Sequence, residues 1–191
     1  MPVIIGNSNV GAAANPDRHG VQYDLFDARI GGTSSIYRNL LASAETSICI
    51  LDPYVVDDNS HKNNESLFED ITTENIVISI YTITSDLKKL QQFGDDVNSV
   101  LEQTLNNYKL YLFGLKHGAG IHHFHDRYLI IDGSRYFMVG QSLDAHVFSN
   151  RFHGICELTE TSDKELVREI ERYYFSEVNA TNSRRYSKQK P

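Results

Sequence analysis

Helix-like and strand-like segments alternate through the first part of this chain, and strands cluster in the second. That order restricts the fold to a single α/β domain, a mixed β-sheet flanked by helices. NIVISIYTI, at residues 75–83, is the strongest strand candidate, a nearly continuous β-branched and aromatic run. Ahead of it, ETSICILDPYV predicts a buried strand that stops at Asp52-Pro53, because proline cannot continue an interior ladder. TSSIYRNLLASA predicts a helix, with Ser/Thr at its start and Ile36, Leu40 and Leu41 at helical spacing. DDNSHKNNESLFEDI reads as a polar loop with a short helix. SDLKKLQQFGDDVNSVLEQTLNN predicts a longer helix, capped by Ser85-Asp86 and broken near Gly94. KLYLF and FHGICEL are further strands. RYFMVG pairs with the preceding apolar run as a hairpin across Asp132-Gly133-Ser134. SDKELVREIERYYFSEV closes the domain as an amphipathic helix. Its expected core face carries Leu166, Val167, Ile170, Tyr173 and Tyr174; Lys164, Glu165, Arg168, Glu169 and Arg172 form the solvated face.

The expected organisation is a loop-rich segment over residues 1–32, holding a short strand and packed on the domain. The domain itself covers 33–178, and a basic, mobile tail covers 179–191. A chain of 191 residues is long enough to bury one substantial core. Its 25 acidic and 18 basic residues leave a net charge of −7, unfavourable for generic binding of polyanions unless a local basic patch forms. Cys49 and Cys156 lie in apolar runs and read as buried free thiols. No segment approaches the length of a membrane-spanning helix, and the N-terminus lacks a basic stretch followed by an apolar one. The expected location is therefore the cytoplasm, with peripheral membrane contact the alternative. No phosphate-binding glycine loop, GxGxxG or zinc-type cysteine spacing occurs.

Chemistry concentrates in HDRYLIID, residues 125–132. Tyr128 to Ile131 is a strand-like run, so His125 and Arg127 share a face while Asp132 has the opposite parity at the strand's end. An imidazole beside a fixed guanidinium can hold and attack a phosphate. Arg127 has an alternative use in a structural ion pair with Asp52 or Glu157. Asp132 is expected to orient a histidine or cap its own turn. Asp52, following a strand and preceding proline, is placed either at a sheet edge where α/β sites gather or in a turn bonded to its own backbone. His117, His122, His123 and His125 raise the question of a metal, but zinc needs further ligands with no source in the sequence, so neither metal nor cofactor is expected.

HxRxxxxD, followed by a strand and Gly140-Gln141-Ser142-Leu143-Asp144, resembles the phospholipase D superfamily signature, HxKxxxxD followed by a Gly-Ser-x-Asn turn. A wider similarity, over residues 30–178, is to the phospholipase-D-like C-terminal domain that follows MIT domains in ESCRT-associated proteins. It rests on GGTSSIYRNL, on Asp52-Pro53-Tyr54, on His-Asp-Arg and on Leu143-Asp144. The superfamily resemblance implies a metal-independent phosphodiesterase, with a nuclease the leading expectation. His125 would form a phosphohistidine, Arg127 would bind the phosphate with Ser142, Gln141 and Asn150, and Asp132, Asp52 and Glu157 would complete or support the site. With one motif per chain, the resemblance implies a homodimer that joins two copies of His125. The closer resemblance implies a different class, a non-catalytic module that binds acidic membrane or a protein partner. Two departures mark the motif: arginine stands for lysine, and the serine of the glycine turn is shifted.

Overall fold

The structure is a computed structural model that describes residues 22–27, 32–56, 64–84, 86–115, 126–140, 152–180 and 183–190. Eight strands, β1 (Gln22–Asp27), β2 (Ser47–Leu51), β3 (Ile76–Ile83), β4 (Tyr108–Leu115), β5 (Arg127–Ile131), β6 (Arg135–Val139), β7 (Phe152–Leu158) and β8 (Arg184–Lys190), form one sheet. Its order is β1-β7-β6-β5-β2-β3-β4-β8. β2, β3 and β4 are parallel neighbours and every other pairing is antiparallel, so the sheet is mixed as expected. Helices α1 (Gly32–Ala42), α2 (Leu87–Thr104) and α3 (Thr161–Ala180) flank it, with a short 3-10 helix at Asn64–Phe68.

The central strands are apolar on both faces because both faces are covered. Ile48, Ile50, Ile78, Ile80, Leu129 and Ile131 join one core with Tyr37 and Leu41 of α1 and Leu90, Phe93 and Val97 of α2. Leu51, Tyr81, Leu115, Tyr128 and Ile130 join a second core with Val167, Ile170 and Tyr174 of α3. Ile76, Ile78 and Ile80 are fully buried, and each such side chain contributes about 1.5–3 kcal/mol of transfer free energy. The run that dominates the sequence is thus the middle of the sheet.

Three expectations are corrected. The tail is not mobile over Arg184–Lys190: these residues form β8, paired with β4 from Tyr108↔Lys190 to Gly114↔Arg184. A strand with one apolar anchor, Tyr186, is invisible to periodicity yet stable once a register partner is supplied. Nor is the second helix broken at Gly94. α2 runs through it, and the glycine makes room for β8, since a Cβ there would lie 2.6 Å from the Tyr186 ring. Leu166, assigned to the core, is 54% exposed; α3 turns Val167, Ile170, Tyr174 and Val178 to the sheet instead.

Gly94→Ala follows from this contact. Alanine favours a helix by about 1 kcal/mol over glycine. Overpacking against a ring that cannot yield costs about 1–3 kcal/mol. The ring is held, because Tyr186 is buried and its hydroxyl donates to Asp95 at 2.9 Å. The expected result is a lower urea midpoint for Gly94→Ala, with β8 amides losing protection from hydrogen exchange first.

Candidate functional site

Strand direction divides the sheet's two ends. At one end every connection is short and described: 43–46 before β2, 69–75 before β3, 105–107 before β4, the turn 132–134 and 159–160 before α3. At the other end lie the C-terminal ends of β1, β2, β3, β4 and β6 and the N-terminal ends of β5, β7 and β8. Arg127 begins β5 at this second end, and Asp52 follows β2 there, because Leu51 pairs with Tyr128 in antiparallel register. The structure therefore brings Asp52 and Arg127 together.

Asp52 is buried, and its Oδ1 accepts from the Tyr54 backbone N–H at 2.9 Å, the turn geometry that Asp before proline favours. The turn is locked to β3: the Pro53 carbonyl accepts from the Ile83 N–H at 3.1 Å and from the Thr82 hydroxyl at 3.3 Å. This fixes Tyr54, whose ring lies 5.0 Å from the Arg127 guanidinium carbon. A guanidinium over an aromatic face is held without being neutralised. The Arg127 Nε is buried and has no hydrogen-bond partner among the described residues. Held against Tyr54 and with its Nε lacking a partner among the described residues, this guanidinium keeps hydrogen-bonding capacity for an oxyanion. In the sequence only its place one residue past the strand-ending Pro53 singles Tyr54 out.

Burial, and then the Asp126 charge, raises the Tyr128 pKa. On the α3 side of the sheet, burial and then the Asp52 charge raise that of Tyr174. Burial, with Glu171 beside it, pushes the Cys49 thiol well up, which keeps it protonated and a poor nucleophile. Cys49 and Cys156 are both free thiols.

Two expected site members sit elsewhere. Asp132 lies at the far end of β5, where its carboxylate accepts from the backbone N–H groups of Glu45, Thr46 and Ser47 and from the Thr46 hydroxyl. Burial alone would raise its pKa, but these donors outweigh burial and hold it at about 2. It adopts φ 54°, a conformation Asp tolerates in turns. Grouping Asp132 with catalytic residues is corrected to a structural anchor between β5 and the start of β2. Glu157 faces Arg135 at 3.6 Å and so does not support Arg127. His125, Gln141, Ser142 and Asn150 lie outside the described residues, as do His117, His122, His123 and Leu143-Asp144. His125 stands two residues before Arg127 in the sequence, and Gln141 and Ser142 follow Gly140 at the end of β6. Among the described residues no cluster of three metal-ligating side chains occurs.

No family model matches the chain, and no curated protein matches its sequence. Solved structures do. A phospholipase D family member, Nuc from Salmonella typhimurium, aligns over 87% of this chain and 98% of its own at 10% identity and a TM-score of 0.57. NucT from Helicobacter pylori aligns over 83% and 96% at 17% identity and a TM-score of 0.49. A phosphatidylserine synthase from Haemophilus influenzae Rd KW20 aligns over 88% and 40% at 10% identity and a TM-score of 0.47. The likeness to Nuc shows the fold alone: this chain has a phospholipase-D-like fold.

Proposed function

We propose that this phospholipase-D-like domain is a metal-independent phosphodiesterase, specifically a nuclease, that works through a phosphohistidine in a homodimer. One observation carries the reading. The arginine of HxRxxxxD lies against Tyr54 with a buried Nε that has no hydrogen-bond partner among the described residues, at the end of the sheet where β5 begins and two residues after the motif's histidine in sequence. The motif and the fold support the same chemistry independently, one from residue spacing and one from backbone geometry.

In this reading Arg127 and the hydroxyl of Ser142 hold the non-bridging oxygens, with Gln141 and Asn150 as further donors. An imidazole nitrogen of one His125 attacks phosphorus and the bond to the leaving oxygen breaks. His125 of the second copy donates its proton to that oxygen. The same imidazole then takes a proton from water as the hydroxide attacks phosphorus, releasing the first His125 and the phosphomonoester. The step balances with one histidine as nucleophile and another as acid, and because the chain carries a single HxRxxxxD motif the second is assigned to a second copy.

Incubation with an end-labelled oligonucleotide in excess chelator tests this. Cleavage is expected to persist, and rapid quenching is expected to trap an acid-labile, base-stable phosphate on the peptide containing His125. Cleavage that stops with chelator, or a label on another residue, would sink the mechanism. A protein that cleaves no phosphodiester and sediments with acidic liposomes would favour the non-catalytic module.

A further inference from the structure

Four arginines among the described residues have hydrogen-bond partners there, and Arg172 is exposed. Arg38 binds Asp70, Arg135 binds Ser43, Arg168 binds the Tyr136 hydroxyl and Arg185 binds the Val178 carbonyl. Arg127 and Arg184 each bury an Nε that has no hydrogen-bond partner among the described residues. An unsatisfied buried donor opposes folding, so two of one kind in related places call for a common cause.

Their places are related. Arg184 begins β8 and pairs with Gly114 near the C-terminal end of β4, so it stands at the same end of the sheet as Arg127. Its Cβ lies 3.2 Å from where a side chain on Gly114 would start, beside Leu90 of α2. Arg127 has the parity of Leu129 and Ile131, which pack in the core that contains Leu90. Both arginines therefore occupy the α1 and α2 side of one sheet end. In the order β5-β2-β3-β4-β8 four strand spacings separate them, roughly 19 Å at about 4.8 Å each.

A lysine-rich edge strand can simply discourage edge-to-edge pairing, and exposed Lys188 fits that role. Arg184 differs from it: the residue is only partly exposed and its Nε is buried without a hydrogen-bond partner among the described residues, so that role does not account for it.

We propose that Arg184 is a second phosphate-binding residue of the same site, and that the ligand is a polynucleotide lying along the sheet end from Arg127 to Arg184. This rests on the phosphodiesterase reading for what happens at Arg127. For a strand stacked as in a B-form duplex, at about 3.4 Å of rise per nucleotide, the span covers roughly five to six nucleotides, and a more extended strand covers it with fewer. A lone phosphodiester or a lipid headgroup does not bridge it. The overall charge of −7 is no obstacle, because Arg184–Lys190 contains four cations and no acid.

Fluorescence anisotropy with the full-length His125→Ala chain, which cannot turn over the probe, tests the proposal. A labelled dodecathymidylate is expected to bind much more tightly than a trithymidylate. Arg184→Gln is expected to weaken the longer probe about tenfold and to lower its log–log salt slope by about 0.7, the value of one single-strand phosphate contact. The trinucleotide should shift less than about twofold. Arg184→Lys, which keeps the charge, should retain most of the affinity. Equal weakening of both probes, or no effect on either, overturns the proposal. Ultraviolet cross-linking of the dodecanucleotide to the unmodified chain decides it without a variant: adducts on the peptide containing Arg184 and Tyr186 are expected, and their absence refutes it. Length-dependent binding through Arg184 without chelator-resistant cleavage would remove the phosphodiesterase reading and leave this one standing. Cleavage of a chromogenic phosphodiester without any dependence on oligonucleotide length would do the reverse.

Discussion

A one-to-one mixture of wild-type chain and His125→Ala variant, left to exchange subunits, is expected to keep about a quarter of wild-type activity. The variant alone is expected to fall by roughly 10⁴-fold or more, as nucleophile removal does elsewhere. The quarter follows from sharing. If each site uses one His125 to attack and the other to protonate, only pairs with two intact copies work, and random exchange makes those about one in four. Independent sites would leave about a half instead, and that outcome would refute a composite site. The melting curve of the unmixed variant, measured beside that of the wild type, separates loss of the nucleophile from loss of the fold. Arg127→Lys in the same assay separates charge from geometry. Lysine cannot keep both the stack on Tyr54 and the planar fork.

Asp132→Ala is expected to destabilise the fold by about 2 kcal/mol, because three backbone donors and a hydroxyl lose a charged acceptor together. In a domain of this size that lowers the melting temperature by about 4–8 °C. Asp132→Asn should fall between, since asparagine tolerates the positive φ and keeps one acceptor. The effect is linked to pH. The carboxyl titrates near 3.8 when free and at about 2 in the fold. Its stabilisation is therefore complete above the unfolded value and is lost as pH falls through about 2. Chemical denaturation from pH 5 downwards should show wild type converging on Asp132→Ala in acid. A gap that persists there would mean that the carboxylate's charge is not what holds the turn.

How far the fold could be read from the sequence depended on where apolar residues lie. NIVISIYTI and the run after Arg127 were legible because buried strands advertise themselves in β-branched residues, and Asp52-Pro53 because proline stops a ladder. β8 was not legible. RRYSKQK carries a single buried anchor, Tyr186, and gains its structure from β4 and Gly94, both remote in sequence. Gly94 misled for the same reason, since a glycine that admits a ring looks locally like a break. The site was half legible. Spacing put His125 and Arg127 on one face, but the nearness of Asp52 and Arg127 is a matter of register between strands 75 residues apart. Glu157 was misplaced because nothing local distinguishes a partner for Arg127 from a partner for Arg135.

The two ends of the sheet have different relations to the cores. Short links at one end, anchored by Asp132 and by Glu74 on the Asn106 and Asn107 amides, tie helices to strands. Arg127 and Arg184 begin their strands at the other end, where residues 57–63, 116–125 and 141–151 connect one strand to the next in sequence and strand pairing is already complete. Exchanging those connections between homologous scaffolds should alter which polymer is gripped while the melting curve stays put. That makes the second end the natural place to build combinatorial libraries, and the first the place to leave untouched.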